Sequence, residues 1–136
     1  MNNTTIEKLI VPSDLSSVSI VESLIDRVCS SMKVSEDAYG NILIAVTEAV
    51  NNAVIHGNSL NSKFSVVVDV KELENQLCFC VSDEGKGFDY DNLPDPTSPE
   101  NIEKESGRGI FLIRNLADEV VFDKGGSVVS LYFNRA

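Results

Sequence analysis

The sequence predicts an α/β sandwich in which helices cover one face of a mostly antiparallel sheet. Apolar residues between Val18 and Met32 recur at gaps of three and four, as they do on the buried side of a helix. Two pairs of strand-like runs, each pair joined by a short turn, indicate antiparallel hairpins. With 136 residues, 43% of them hydrophobic, the chain is expected to fold as one domain over residues 1–136.

The composition argues against two classes of partner. The net charge is −10, which disfavours direct nucleic-acid binding because phosphate groups require a basic surface. No apolar run approaches the roughly 18 residues of a membrane span, and the first residues lack the features of a signal peptide. The three cysteines indicate reduced thiols in a cytoplasmic protein, since Cys78 and Cys80 are two apart in a strand-like run. If Cys78 and Cys80 bound a metal ion, only Cys29 and His56 would remain in the chain as further soft ligands, so reduced thiols are the favoured interpretation.

The first half of the chain is predicted to contain one strand and two helices. Residues 5–11 form the strand, which ends at Pro12. Ser13 or Asp14 then caps a helix that runs to about residue 32. A second helix begins after Ser35 and ends at Gly57, and residues 58–62 form a polar loop.

The second helix carries an unusual polar stripe. Glu48, Asn52 and His56 recur at intervals of four residues, which places successive side chains about 6 Å apart along one slanted line. A purely solvated surface would not favour the mixture of apolar and amide side chains around them, so something is expected to cover this face in part. A half-buried polar stripe with incidental amides is the alternative. The mixed face comprises Asn41, Ile44, Asn51, Asn52 and Ile55, and the opposite core face comprises Ile42, Val46, Val50 and Ala53.

Polar side chains are also predicted on the core side of two strands. The strand-like runs beyond residue 63 are 64–70, 76–82, 119–123 and 127–134. Asp83 continues the parity of the apolar residues in the second run, and an ionised carboxylate on that side is costly unless it meets a donor. Ser127 shares the parity of Val129, so its hydroxyl should face inward as well.

Two glycine-rich segments accompany these positions. Gly85 and Gly87 follow Asp83 and permit tight turns and close backbone approach. Gly107 and Gly109 open an apolar helix, and the free N–H groups of such a helix start favour an anion such as phosphate.

The segment between the glycine pairs lacks periodicity. Residues 89–106 hold three prolines, which is typical of a functional or disordered loop. A dinucleotide-binding motif is the weaker interpretation of the glycines, because Leu112 replaces its last glycine and a long loop precedes.

Together these motifs resemble those of the GHKL ATPase superfamily. Its N box is similar to Glu48-Ala-Val-Asn-Asn52-Ala-Val-Ile-His56-Gly57, and its two glycine boxes are similar to Asp83-Glu-Gly85-Lys-Gly87 and Gly107-Arg-Gly109. Its closing Gly-Thr is similar to Gly126-Ser127. Within that superfamily the compact size, the N box and the short lid most resemble the anti-sigma factor serine/threonine protein kinases.

The resemblance implies a fold and a set of roles. The fold is the Bergerat two-layer α/β sandwich, with a mixed, mostly antiparallel sheet covered on one face by three helices. Asp83 would accept from the adenine amino group with Ser127 nearby, and Asn52 would bind Mg²⁺. Glu48, the implied catalytic residue, would be the base or the orienting group for an incoming serine hydroxyl. Residues 89–106 would form a lid over ATP, and His56 receives no catalytic role. The implied nucleotide-binding set is Asn52, Asp83, Gly85, Gly87, Gly107, Arg108, Gly109, Ile110 and Ser127.

The implied function is that of an ATP-dependent protein kinase that phosphorylates a serine of a STAS-domain anti-anti-sigma partner and sequesters a sigma factor. The resemblance also implies dimerisation through sheet edges. A nucleotide-dependent binding module without transfer is one alternative, and the presence of Glu48 favours the kinase over it. A detached catalytic domain of a histidine kinase is another, but the sole histidine, His56, lies inside the nucleotide-binding helix and no phosphoacceptor helix is present.

Overall fold

The computed structural model describes residues 4–58, 61, 63–85 and 105–134. A 3-10 turn, Leu15–Ser17, precedes α1, and a π-helical turn, Ala53–Gly57, follows α2. Among these residues no helix combines the length and the apolar character needed to cross a membrane. In chain order the elements are β1 (Thr4–Pro12), α1 (Val18–Ser31), α2 (Glu36–Asn52), β2 (Ser65–Glu72), β3 (Gln76–Ser82), α3 (Glu105–Leu116), β4 (Glu119–Asp123) and β5 (Val128–Asn134).

These five strands form one sheet in the order β1-β2-β3-β5-β4. Every pairing among them is antiparallel, which confirms the predicted mostly antiparallel sheet. The parallel pair that a mixed sheet would contain does not occur between described strands. β3 and β4 do run in the same direction, but β5 lies between them and pairs with both.

The helices pack on one face of this sheet. Val46 and Val50 of α2 are fully buried, as the core face predicted for that helix requires. The ring of Phe79 meets that of Phe133 edge-on at 6.1 Å, and burial of a side chain of this size contributes about 1.5–3 kcal/mol. The predicted strand parity is confirmed, since alternate residues of β2, β3 and β5 are buried: Val66, Val68, Val70, Leu77, Phe79, Val81, Val129, Leu131 and Phe133.

The helix ends differ in part from those predicted. Asp14, one of the two predicted caps, accepts a hydrogen bond from the backbone N–H of Ser16 at 2.8 Å and so caps the 3-10 turn Leu15–Ser17. The helix α1 itself follows Ser17, whose side chain makes no capping bond. Ser35 caps α2 by accepting from the N–H of Ala38 at 3.2 Å, as predicted. The third helix begins at Glu105, so the last two residues of the predicted lid belong to α3.

All three cysteines are free thiols. Burial raises the pKa of Cys29 to about 11, and burial followed by the neighbouring Cys80 raises the pKa of Cys78 to about 11. Both thiols therefore stay protonated at neutral pH. Within the described ranges no three His, Cys, Asp or Glu side chains lie close enough together to hold a metal ion.

Candidate nucleotide-binding and catalytic site

The polar stripe of α2 lines one cleft. Glu48 and Asn52 lie in the last turns of α2, and Ile55 and His56 follow in the π-helical turn. The cleft has a volume of about 400 Å³, and Leu15 supplies part of its apolar wall. The mixed face of α2 is therefore covered in part by other elements, as its composition predicted. The cleft is lined by Leu15, Glu48, Asn51, Asn52, Ile55, His56, Gly109 and Leu112.

The π-helical turn brings the end of α2 against the turn that follows β3. The backbone N–H of Asn58 donates to the carbonyl of Ala53 at 2.8 Å, five residues back, which closes the wide turn. A Cβ atom at Gly57 would overlap the carboxylate of Asp83, and a Cβ atom at Gly85 would overlap the carbonyl group of Gly57. Gly85 therefore requires glycine because its backbone meets that of Gly57, whereas a side chain at residue 57 would have to displace the Asp83 side chain.

Asp83 and Ser127 come together where β3 and β5 meet, but β5 begins at Val128 and Ser127 has helical backbone angles, so the strand parity predicted for Ser127 does not apply. The N–H of Asp83 donates to the carbonyl oxygen of Ser127 at 2.9 Å, and the hydroxyl of Ser127 donates to the carbonyl oxygen of Lys124 at 3.1 Å. The Asp83 carboxylate accepts from the N–H of Gly85 at 2.8 Å. Burial raises the pKa of Asp83 above its ordinary value, and the bond from Gly85 opposes part of that rise. The carboxylate thus has one backbone donor and retains capacity to accept from another.

A second, smaller cavity shares Asn52 with the cleft, and both Asp83 and Ser127 line it. Asn52, Gly57, Asp83, Ile110 and Ser127 are among its lining residues. Its free volume is about 20 Å³, the space of about one water molecule. The elements around Asp83 are therefore closed against one another in this conformation.

Helix α3 closes directly over the α2 stripe. A Cβ atom at Gly109 would lie 2.9 Å from Nδ2 of Asn52 and 3.3 Å from Oε2 of Glu48, so only glycine fits without displacing them. Nδ2 of Asn52 is buried and has no hydrogen-bond partner in the part of the chain described. A buried amide without a partner is costly, and a bound group in the cleft would supply the acceptor that it lacks. Its oxygen is also a donor type that suits Mg²⁺, so the site fits a magnesium–nucleotide complex.

Helix α3 begins at Glu105, two residues before the predicted start at Gly107, and this shifts the backbone N–H groups that lack an intrahelical partner. In an α-helix that begins at Glu105 only the first few N–H groups lack a partner, so those of Gly109 and Ile110 lie inside the helical ladder. An α-helix leaves the N–H groups of its first turn, here residues 105–107, without an intrahelical partner. Gly107 lies in this first turn, whereas Gly87, residues 89–104 and the side chain of Arg108 fall outside what the structure describes.

Two residues of the site were not predicted from the sequence. Leu15 lines the cleft although it lies in the turn before α1, where an exposed leucine carries no signal. Asn58 is 1% exposed and bonds to the turn after β3, although its neighbours gave it the pattern of a polar loop. An asparagine directly after a helix-ending glycine was the only available hint for Asn58.

Comparisons with known proteins identify the family. A model of the histidine kinase-like ATPase domain matches residues 11–133. The serine-protein kinase RsbW of Staphylococcus aureus strain JH9 is 33% identical over 129 residues, which covers 89% of this chain and 81% of the relative. RsbW of strain Newman matches to the same extent.

A solved structure agrees with this assignment at the level of the fold. The crystal structure of the RsbU and RsbW domains of Rv1364c from Mycobacterium tuberculosis superposes with a TM-score of 0.67 at 17% identity. The match covers 94% of this chain but 31% of the solved one, so the chain spans about a third of that protein. The motif resemblance and the predicted fold class are thus confirmed, and the chain belongs to the histidine kinase-like ATPase family, in the group of the RsbW serine-protein kinases.

Proposed function

We propose that this protein is an ATP-dependent protein kinase that phosphorylates a serine of a STAS-domain partner and sequesters a sigma factor. The observation that carries the proposal is the meeting of Glu48 and Asn52 under Gly109. The carboxylate and the buried amide face the same cleft, and a glycine of α3 lies in contact with both. A proton acceptor and a hard oxygen ligand are then adjacent, which is the pairing that phosphoryl transfer requires. The 33% identity to RsbW supports the same assignment.

The nucleotide would lie between α2, the ends of β3 and β5, and α3. Asp83 accepts a hydrogen bond from the adenine amino group, and Ser127 lies beside it. The oxygen of Asn52 would hold Mg²⁺, which would neutralise negative charge on the phosphates. The backbone at the start of α3 contacts the phosphates, and Arg108 adds positive charge. Because the free volume at Asp83 is about 20 Å³, the elements that line it, including α3 through Ile110 and Ile113, must move apart as the nucleotide enters.

The transfer itself assigns one chemical step to Glu48. The hydroxyl oxygen of the partner serine forms a bond to the γ-phosphorus of ATP, and the bond from that phosphorus to the β,γ-bridging oxygen breaks. The proton of the serine hydroxyl passes to the Glu48 carboxylate, so phosphoserine and ADP are the products. The cleft beside Glu48 gives the serine its access, and its apolar wall contacts the residues that flank the serine. We place this reaction in the cytoplasm, where thiols such as the three free cysteines stay reduced.

A phosphotransfer assay tests the proposal. The full chain is incubated with Mg-ATP and a panel of purified STAS-domain proteins, and phosphoserine is measured by mass spectrometry. Nucleotide binding is measured in parallel by calorimetry. Phosphoserine on one panel member is the expected result. ATP binding without phosphoserine on any member would instead indicate a nucleotide-dependent binding module, and absence of ATP binding would remove both functions.

A further inference from the structure

Asn58 connects three separate elements near the candidate nucleotide site. Its backbone N–H closes the π-helical turn at Ala53. Its side-chain Nδ2 donates to the carbonyl oxygen of Ser65 at the start of β2, at 3.1 Å. Its Oδ1 accepts from the backbone N–H of Glu84, at 2.8 Å. The side chain is 1% exposed, so both side-chain bonds form in a largely water-free environment.

The Glu84 bond matters because Glu84 follows Asp83 in the turn after β3. The Glu84 carboxylate in turn accepts from the backbone N–H of Ser65, so Asn58 and Glu84 both bond to the same residue of β2. Gly57, next to Asn58, packs against the Asp83 carboxylate, and its carbonyl group lies against Gly85. The segment from Asp83 to Gly85 is therefore contacted by two consecutive residues, Gly57 and Asn58, at the end of the π-helical turn.

We infer that Asn58 is a positioning residue that sets the orientation of Asp83 in the nucleotide site and thereby the preference for adenine over guanine. This inference rests on the proposed nucleotide-binding function. Without the Oδ1 acceptor, the N–H of Glu84 loses the hydrogen bond that ties it to the buried Asn58, and the turn is free to rotate or open. A rotation of the Glu84 peptide group moves the adjoining Asp83 carboxylate. Hydrogen-bond selection of one base over another depends on such a group being held in place.

A matched pair of variants separates positioning from general stability. Asn58→Ala removes both side-chain bonds. Ser17→Ala is the control, because Ser17 is also 1% exposed and its hydroxyl donates to a backbone carbonyl, that of Pro12, at 2.9 Å. This bond joins the turn before α1 to Pro12 of β1, which pairs with Ser65 of β2, and both of its atoms lie outside the segment from Asp83 to Gly85. Asn58→Ser is the conservative variant, since a hydroxyl can still accept from the N–H of Glu84.

Two readouts report on Asp83. Calorimetry gives the ratio of ATP to GTP affinity in each variant. Amide hydrogen exchange of Gly85, measured by NMR without nucleotide, reports on the bond from its N–H to the Asp83 carboxylate. We expect Asn58→Ala to lower the affinity ratio by about fivefold to tenfold and to speed Gly85 exchange by a similar factor. Ser17→Ala should lower the melting temperature but change neither quantity, and Asn58→Ser should restore part of both.

The results of these measurements distinguish failure of the Asn58 inference from failure of the proposed nucleotide-binding function. An unchanged affinity ratio and unchanged Gly85 exchange in Asn58→Ala, with only a lower melting temperature, would overturn the inference. If Asn58→Ala does not fold, Asn58→Ser carries the same test with a smaller expected change. If the unmodified protein binds neither nucleotide, the proposed function fails. In that case Gly85 exchange alone still decides whether Asn58 holds the Asp83 segment.

Discussion

The backbone N–H of Asp83 donates to the carbonyl oxygen of Ser127 across 2.9 Å. This bond extends the β3–β5 pairing one step past its last pair, Ser82 with Val128. It therefore brings Asp83 and Ser127 into the lining of one small cavity. Partial burial of the Asp83 carboxylate should lower the stability of the folded protein at neutral pH, and this effect can be measured.

Replacement of Asp83 by Asn is expected to stabilise the nucleotide-free protein at pH 7. Burial raises the pKa of Asp83 above 3.8, so the folded state holds its proton more tightly than the unfolded chain does. The stability that this proton contributes is present at pH values below 3.8 and is lost as the pH rises through the folded-state pKa. The melting temperature of Asp83→Asn relative to the unmodified protein should therefore increase from pH 3 to pH 7. If the difference in melting temperature between the two proteins is the same from pH 3 to pH 7, the pKa of Asp83 is not raised by folding.

The same substitution should weaken nucleotide binding. An amide retains an acceptor for the N–H of Gly85 but loses the charge that strengthens a bond from adenine, and it also offers a donor. We expect ATP affinity to fall by about tenfold or more and the preference for ATP over GTP to decrease. Calorimetric titration with both nucleotides measures this. Equal affinity of the unmodified protein for ATP and GTP would remove Asp83 from adenine recognition.

Glu48→Gln and Asn52→Ala should separate catalysis from binding. The amide of Gln keeps the size of the side chain but cannot accept a proton, so phosphotransfer should fall by roughly two to four orders of magnitude. Nucleotide affinity should change little in this variant. Asn52→Ala removes the proposed metal ligand and should weaken Mg-dependent nucleotide binding together with transfer. Phosphotransfer by each variant is measured on the same partner as for the unmodified protein. Full transfer activity in Glu48→Gln would show that Glu48 is not the catalytic base.

Gly109→Ala should impair the site where Gly40→Ala does not. The added Cβ at residue 109 meets Nδ2 of Asn52 at 2.9 Å and must displace it, whereas a Cβ at Gly40 of α2 meets nothing within 4 Å. We expect Gly40→Ala to raise stability by about 0.5–1 kcal/mol through helix propensity and to leave ATP binding unchanged. Gly109→Ala should reduce ATP affinity severalfold. Denaturant titration and calorimetry on both variants check this, and equal ATP affinity in the two would contradict the close contact of α3 with Asn52.

Leu15→Ser should weaken recognition of the protein partner. Leu15 is 49% exposed and lines the cleft beside Glu48, and Ile20 of α1 is 48% exposed but is not among the lining residues. Loss of a partly buried contact of this size should raise the KM for the STAS partner by about threefold to tenfold. Ile20→Ser serves as the control and should leave that KM unchanged. Neither change should alter ATP affinity, and an equal KM in both variants would show that the partner does not use the apolar wall.

The residue patterns were enough to predict the elements and the main polar positions of the site. The core face of α2 and the inward parity of Asp83 follow from the helical and strand periods, which are local properties of the chain. The mixed face around Glu48 could be predicted to be covered because isoleucines and amides alternate on it. The order of the motifs was enough to predict the family, although Gly87 and most of the predicted lid lie outside the residues that the structure describes.

Tertiary structure alone decided how closely the segments approach. The π-helical turn at Ala53–Gly57 depends on the fit of Gly57 against Asp83, two residues far apart in sequence. The burial of Asn58 depends on partners at Ser65 and Glu84, which no local pattern connects to it. The start of α3 at Glu105 also escaped prediction, because two glycines in its first turns disfavour a helix locally. Periodicity therefore determined which side each residue faces, and non-local packing determined which residues meet.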